Sequence, residues 1–180
     1  ITITSSDSAG ANLTQDFTIT VNNINEAVSS ITLEGGTFVY VPESVNGQVI
    51  GELIDNDPDL EDSHTYLITG QDAKYFEVVN GVLKLKAGIS LDYETLSRSV
   101  IDTDGEIFKY LDVTVTIIDS GGFAVKNDFT VYVSDVNDAP TAITLWGSNL
   151  GTGANYHAVI GKLEVADVDD QDFTFAIDSI

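Results

Sequence analysis

Hydrophobic and polar residues alternate along much of the chain. In residues 111–117 and 129–133, every second residue is apolar and the residues between are mostly polar. A period of two puts successive side chains on opposite faces of a β-strand, so each run predicts a strand with one buried side. Shorter strand candidates lie at residues 37–41, 48–54, 64–69, 75–79 and 82–86.

Turn-forming dipeptides separate these strand candidates. They are Gly35-Gly36, Asn46-Gly47, Asn80-Gly81 and Gly121-Gly122. No long stretch shows the period of about 3.6 residues that marks an amphipathic helix. About seven short strands in roughly 110 residues predict an all-β fold, a seven-stranded Greek-key β-sandwich.

Parts of the sequence repeat along the chain. Residues 1–27 align without gaps to residues 113–139, and 11 of these 27 positions are identical. After a shift of two residues, residues 51–59 align to residues 161–169. Similarity at a fixed spacing indicates tandem repeats.

The repeat predicts three parts. We expect residues 1–27 to be the C-terminal part of one repeat, residues 28–140 a complete repeat, and residues 141–180 the N-terminal part of a following repeat. The chain contains no methionine, not even at its first position. We therefore expect it to be a fragment of a longer protein, with an incomplete repeat at each end.

The composition restricts the classes of function. The 180 residues include 29 acidic and 7 basic ones, a formal net charge of −22. Such a surface repels nucleic acid and anionic membranes, so neither is an expected partner. No apolar run approaches the ~20 residues of a membrane-spanning helix, so we expect that the chain does not itself span a membrane. Cysteine is absent, which excludes disulfides and thiolate metal sites.

Acidic residues gather in a few short segments rather than being spread evenly. The segments are Glu43, 57–59 (DPD), 91–94 (LDYE), 135–140 (DVNDAP), its earlier counterpart 23–27 (NINEA), and 167–169 (DVD). Calcium takes six to eight oxygen ligands from carboxylates and backbone carbonyls. Clustered carboxylates at the ends of the repeats therefore predict a calcium site.

In this order, the motifs resemble those of the cadherin repeat, and the resemblance covers all 180 residues. That family places a glutamate, an L-D-R/Y-E loop, a D-x-N-D-N linker and a D-x-D loop around three calcium ions between successive repeats. The resemblance implies a cadherin- or immunoglobulin-like sandwich in tandem repeats, with Ca²⁺ as the bound metal. The lack of cysteine and the D-x-N-E/D-A linker look more like bacterial cadherin-like repeats of large surface or secreted adhesins than vertebrate ones.

The resemblance also implies ligands at two junctions. At the junction after residue 140 they would be the side chains of Glu43, Asp92, Glu94, Asn137, Asp138, Asp167 and Asp169, with the backbone carbonyls of Val136 and Ala139. At the junction after residue 27 they would be Asn25, Glu26, Ala27, Asp57, Asp59 and Asp119. Alanine replaces the last linker asparagine at both junctions, which is tolerable because the family uses that carbonyl. Glu26 is one methylene longer than the usual aspartate and is expected to weaken the first junction.

The implied function is structural rather than enzymatic. Calcium would lock neighbouring repeats of the chain into a rod for cell adhesion, at the cell surface or outside the cell. Other adhesin molecules and surface glycans are further candidate partners. The alternative is a calcium-dependent carbohydrate-binding module, in which Tyr40, Trp146 and Tyr156 would supply sugar-stacking rings. His64 and His157 have no evident acidic partner and are expected to be surface residues.

Overall fold

The computed structural model of the protein describes every residue except Glu61, 148–152, 154–157 and 179–180. Tyr156 and His157 therefore lie outside the described residues. Within the described part, the chain consists of β-strands and loops, with one 3-10 turn at Ala73–Tyr75 and no α-helix. A helix long and apolar enough to cross a membrane is absent from the described residues.

The strands are numbered in chain order. They are β1 (Thr2–Ser6), β2 (Asn12–Asp16), β3 (Ile31–Leu33), β4 (Phe38–Pro42), β5 (Val49–Asp55), β6 (Thr65–Thr69), β7 (Phe76–Val79), β8 (Val82–Leu85), β9 (Ser99–Ile101), β10 (Ile107–Ile118), β11 (Ala124–Ser134), β12 (Ala142–Trp146) and β13 (Lys162–Ala166). β4 runs parallel to its neighbour β11, whereas β10 pairs antiparallel with β6, β9 and β11.

Residues 28–140 contain a sandwich of two sheets. One sheet has the order β4-β11-β10-β6, with β9 added beside β10, and the other has the order β3-β5-β8-β7. The predicted all-β sandwich is therefore confirmed. The described residues of this segment form nine strands rather than seven. The first strand is divided between the sheets as β3 and β4, and β9 is an additional short strand.

The long hairpin of β10 and β11 supplies the centre of the core. Val113, Val115 and Ile117 of β10 and Val131 of β11 are at most 1% exposed, and they alternate with outward residues as the period of two predicts. Leu83 of β8, in the opposite sheet, is also fully buried. Burial of these apolar side chains between the sheets is the main favourable contribution to folding.

One separate hairpin precedes the sandwich in the sequence, and another follows it. β1 pairs with β2, and β12 pairs with β13; among the described residues neither pair is extended by a further strand. Leu145 faces Leu163 in the second hairpin as Leu33 faces Leu53 between β3 and β5. The same register thus occurs at both places, while the limits of the three repeats stay a prediction.

Replacing Leu83 by alanine should lower the free energy of unfolding by about 2–5 kcal/mol, because the lost methyl groups leave a cavity in the core. Leu67→Ala is the matched control, since 53% of Leu67 is exposed and its loss should change that free energy by less than about 0.5 kcal/mol. Urea unfolding followed by circular dichroism measures both. Equal effects in the two variants would contradict the placement of Leu83 in the core.

Candidate metal centre

Seven carboxylates meet where the sandwich continues towards β12. They come from four segments, and we call them the downstream cluster: Glu43, Asp92, Glu94, Asp135, Asp138, Asp167 and Asp169. One oxygen each of Glu43, Asp92 and Glu94 lie within 4.8 Å of one another. The same holds for Glu94, Asp135 and Asp169, so Glu94 joins the two groups. Six of the seven belong to the predicted ligand set, and Asp135 does not.

Glu43 is the most deeply buried member of the downstream cluster, with 2% of its surface exposed. It directly follows β4, and its N–H donates to the carbonyl oxygen of Ser134, which extends the β4–β11 ladder. Its carboxylate accepts the N–H of Tyr93 at 2.5 Å and the N–H of Val136 at 2.8 Å. These two donors satisfy the buried carboxylate and fix it between the 91–94 loop and the linker.

The loop that carries Asp92 and Glu94 is anchored from two sides. Leu91 packs in the core, whereas Asp92 beside it is exposed. The ammonium of Lys109 donates to the carbonyl oxygens of Tyr93 and Glu94, at 2.5 and 3.2 Å. The backbone of the loop is therefore held against the sandwich while both of its carboxylates stay in the cluster.

The remaining carboxylates belong to the linker after β11 and to the loop after β13. The N–H of Asp138 donates to the carboxylate of Asp169 at 2.5 Å. The carboxylate of Asp167 accepts the N–H groups of Asp169 and Asp170, each at 2.9 Å, which closes a tight turn. This turn brings the D-x-D loop against the linker.

Crowding raises the pKa of three carboxyl groups in the downstream cluster. For Asp135, partial burial raises the pKa most, followed by the negative charges of Asp169 and Glu43. Burial and then the same two charges raise the pKa of Asp138. A hydrogen bond from its own N–H acts to lower the pKa of Glu94, but burial and neighbouring carboxylates raise it on balance. The folded protein therefore resists the ionisation of these groups.

The downstream cluster has the donor set of a site for a hard cation. All seven side chains offer oxygen, which is the ligand atom that calcium prefers. The charge of Lys109 acts to lower the pKa of Asp135, against the net rise, but its ammonium is bonded to backbone carbonyls. None of the ion pairs of the described residues joins the cluster to a basic side chain. Acidic charge without a matching base fits a divalent cation.

A second group of polar residues lies where residues 23–27 meet the loops after β5 and β10. We call it the upstream cluster: Asn23, Asn25, Glu26, Asp57, Asp59, Asp62, His64 and Asp119. The N–H of Glu26 donates to Asp59 at 2.7 Å, and the side-chain amide of Asn23 donates to the same carboxylate. Asp57 accepts the N–H of Asp59 at 2.9 Å. The linker-to-loop contact and the tight turn of the downstream cluster are thus both present here.

His64 distinguishes the upstream cluster, and the expectation that it lacks an acidic partner was wrong. Its Nε2 lies 2.9 Å from Asp57 and its Nδ1 3.7 Å from Asp55. Ligand atoms of Asp57, Asp62 and His64 lie within 4.8 Å of one another. The chain reverses between β5 and β6, which brings His64 back onto acidic residues that precede it by several positions. Sequence reasoning missed both His64 and Asp62 as members of the site.

Asp119 and Asn25 connect the upstream cluster to the turn between β10 and β11. Asp119 is 5% exposed and accepts the N–H groups of Val28 at 3.2 Å and Phe123 at 2.9 Å. Burial acts to raise the pKa of Asp119, but these bonds and one from Asn25 lower it on balance. The hydroxyl of Ser120 donates to Asn25 at 2.8 Å. The protein itself therefore already satisfies Asp119, a predicted ligand.

The two clusters differ at one equivalent position of the linker. Asn23 aligns with Asp135, and each lies against the second aspartate of its D-x-D loop. Upstream, the amide of Asn23 donates to Asp59. Downstream, the carboxylates of Asp135 and Asp169 face each other. An amide donates a hydrogen bond to the neighbouring carboxylate, whereas a second carboxylate repels it unless a cation or a proton neutralises the charge. The exchange of asparagine for aspartate was visible in the alignment, although its consequence was not.

The remaining predicted ligands are linker groups. Val136 uses its N–H to bind Glu43, and Ala27 and Ala139 are exposed. The side-chain amide of Asn137 donates to the carbonyl oxygen of its neighbour Asp138 at 2.7 Å. The roles of these residues as metal ligands stay a prediction.

Solved structures with this architecture include cadherin extracellular domains. The EC1-2 fragment of human protocadherin-24 has 25% sequence identity and a TM-score of 0.52, covering 82% of this chain. A second crystal form of that fragment has 26% identity and a TM-score of 0.50 over 81% of this chain. The chain contains a cadherin-like domain. It spans 62% of the length of either protocadherin fragment.

Two further comparisons returned no match to this cadherin-like chain. No protein-family model matches it, and no curated protein matches its sequence. The assignment to the cadherin-like domains therefore depends on the fold, together with the motifs that the fold brings into the two clusters.

In EDTA, Asp135→Asn should stabilise the cadherin-like sandwich at about pH 7.5, by about 0.5–1 kcal/mol. The amide can donate to Asp169 as Asn23 donates to Asp59. Because the pKa of Asp135 is raised, its ionisation opposes folding as pH rises through that pKa, so the gain should shrink towards about pH 4. Urea unfolding at the two pH values measures this.

Glu52→Gln is the control for loss of one negative charge, since Glu52 is exposed on β5 and belongs to neither cluster. It should change the stability little at either pH. A loss of stability in Asp135→Asn under EDTA would contradict the repulsion between Asp135 and Asp169.

Proposed function

We propose that the chain is a calcium-binding cadherin-like segment of an extracellular or cell-surface adhesin, with a structural rather than an enzymatic role. Calcium at the ends of the complete repeat would hold neighbouring repeats in a fixed arrangement. The observation that carries the proposal is the downstream cluster, in which seven carboxylates from four segments converge and, among the described residues, none forms an ion pair with a basic side chain.

The downstream cluster joins parts of the chain that are far apart in sequence. Glu43 and the 91–94 loop belong to the sandwich, and Asp167 and Asp169 follow β13. The linker that carries Asp135 and Asp138 passes between them. A cation shared by these groups supplies the positive charge that their ionised forms need. Without it, the carboxylates repel one another and the D-x-D loop is pushed from the sandwich.

The upstream cluster would bind calcium less strongly. Asn23 and the N–H of Glu26 already satisfy Asp59, and His64 lies against Asp57. Imidazole is a poor ligand for calcium, which prefers oxygen. Glu26 also departs from the aspartate of the resembled motif. We therefore expect calcium to saturate the downstream cluster first. The upstream ligands Asn25, Glu26, Asp57, Asp59 and Asp119 would form a second, weaker site.

Neighbouring repeats of the same chain are the first partners that follow from this assignment. A repeat with metal-linked ends serves as a stiff spacer, and the adhesive contact then involves other adhesin molecules or surface glycans. The human protocadherin-24 fragment with the same architecture contains two successive repeats, EC1 and EC2. That arrangement supports the view that the flanking hairpins belong to adjoining repeats.

Calcium should raise the melting temperature of the purified chain in a titration that starts from EDTA. Extracellular calcium modules have dissociation constants of about 10⁻⁴–10⁻³ M, and a site saturated at 100-fold excess contributes about 2.7 kcal/mol. Asp138→Asn should lose most of this shift, because it removes a carboxylate that interacts with those of Glu43, Asp169, Asp92 and Asp167. Differential scanning calorimetry measures both proteins.

Magnesium serves as the metal control and should give a much smaller shift, because its near-octahedral geometry suits dedicated all-protein sites poorly. Glu52→Gln is the charge control and should keep the full calcium shift. No calcium-specific shift in the unaltered chain would reject the proposal and leave the clusters as solvated loops.

Calcium should also slow hydrogen exchange in the linker, residues 135–142. The N–H groups of Val136 and Asp138 donate to carboxylates of the downstream cluster, so their protection depends on whether those groups stay together. Exchange at Leu83, in the core, is the internal reference and should change little. Equal protection of the linker in EDTA and in calcium would show that the metal does not order the junction.

A further inference from the structure

Five aromatic rings lie together on the outer face of the sheet that contains β4, β11 and β10. We call this group the aromatic face: Phe38 and Tyr40 of β4, Tyr132 of β11, and Phe108 and Tyr110 of β10. Tyr40, Tyr132 and Tyr110 form one row across the three strands. Tyr132 is at the centre, since the other four ring centroids lie 5.0–6.2 Å from its own.

Much of the aromatic face is open to solvent. Phe38 and Tyr40 are 61% and 60% exposed, and both lie on β4 at the edge of the sheet. Tyr40 stacks on Tyr132 at an interplanar angle of 20°, so its ring is already fixed by a neighbour. Cross-strand pairing explains the ring surfaces that touch one another. It does not explain the ring surface left in water, which is typical of an interaction site.

Polar groups border the rings. The hydroxyl of Thr130 donates to Asp112 at 2.8 Å, and Arg98 donates to the same carboxylate. The guanidinium of Arg98 lies over Tyr110, 4.5 Å from the ring centroid. Tyrosine hydroxyls both donate and accept hydrogen bonds. The face therefore offers apolar ring surface and hydrogen-bonding groups side by side.

The charge of the chain selects among ligands for the aromatic face. A net charge of −22 repels polyanions, and it also repels a second copy of the same chain. Arg98 forms ion pairs with both Asp72 and Asp112, so it offers no free positive charge to an acidic ligand. A neutral ligand with apolar faces and many hydroxyls matches both the rings and the polar groups beside them.

We propose that the aromatic face binds a neutral, β-linked polysaccharide. The flat C–H faces of its sugar rings would stack on Phe38 and Tyr40, while its hydroxyls bond to the tyrosine hydroxyls and Asp112. This activity goes beyond the calcium-dependent spacer, because it would attach the repeat directly to a glycan. The face contains none of the carboxylates of the two clusters, so binding persists in EDTA.

Two binding experiments on the full chain test the proposal. The first is affinity electrophoresis in gels that contain soluble mixed-linkage β-glucan, and the second is pull-down on microcrystalline cellulose and on chitin. Each is run in calcium and in EDTA. We expect at least one of the three glycans to retain the chain under both conditions. Tyr40→Ala should weaken that binding at least about tenfold, as loss of a central aromatic contact does.

Leu67→Ala is the matched control, an exposed apolar residue of the same sheet outside the aromatic face, and should bind as the unaltered chain does. Melting temperatures verify folding; if Tyr40→Ala is unstable, Phe38→Ala replaces it. The proposal would be overturned if none of the three glycans retained the chain. It would also be overturned if the Tyr40→Ala and Phe38→Ala variants were retained as strongly as the unaltered chain. A third outcome would also overturn the proposal: no glycan retains the chain, but the chain self-associates and Tyr40→Ala abolishes the self-association. The aromatic face would then bind a second copy of the chain.

Discussion

The antiparallel pairing of β10 with β11 is the constraint on which the upstream and downstream clusters both depend. These strands are 12 and 11 residues long, so the hairpin extends over about 35 Å. Its turn begins with Asp119 in the upstream cluster, and its last residue is followed by Asp135 in the downstream cluster. Parallel pairing of β4 with β11 brings Glu43 to the same end. The paired strands thus fix the distance between the clusters.

Features that depend on local periodicity or on the repeat could be predicted from the sequence. The strands near residues 111–117 and 129–133 are confirmed. A strand that buries only one face shows a period of two in its own sequence, so no knowledge of distant contacts is needed to predict it. Contacts that depend on chain reversal could not be predicted. His64 meets Asp57 because the chain reverses between β5 and β6, and no periodic pattern in the sequence encodes that approach. β9 was missed because its three exposed residues show no alternation of buried and open positions.

The two clusters show how one backbone arrangement supports different electrostatics. In both, a linker N–H donates to the second aspartate of the D-x-D loop. Asn23 upstream completes that geometry with a neutral donor, and Asp135 downstream adds a negative charge instead. The upstream contact is therefore stable by itself, whereas the downstream contact is frustrated until a cation or proton arrives. The calcium binding proposed above would therefore affect the downstream cluster more than the upstream one.

The aromatic face and the core are linked through the same strands. Along β11, Val131 and Val133 point into the core and Tyr132 points outward between them. A shift of the β11 register by one residue would bury Tyr132 and expose both valines, so the buried side specifies the exposed side. The rings therefore keep their mutual spacing without any loop that must order on binding, which reduces the entropy cost of stacking a ligand on them. The proposed metal sites and the ring surface can thus coexist in one repeat, because the clusters lie at the ends of the sandwich and the rings lie on the outer face of one sheet.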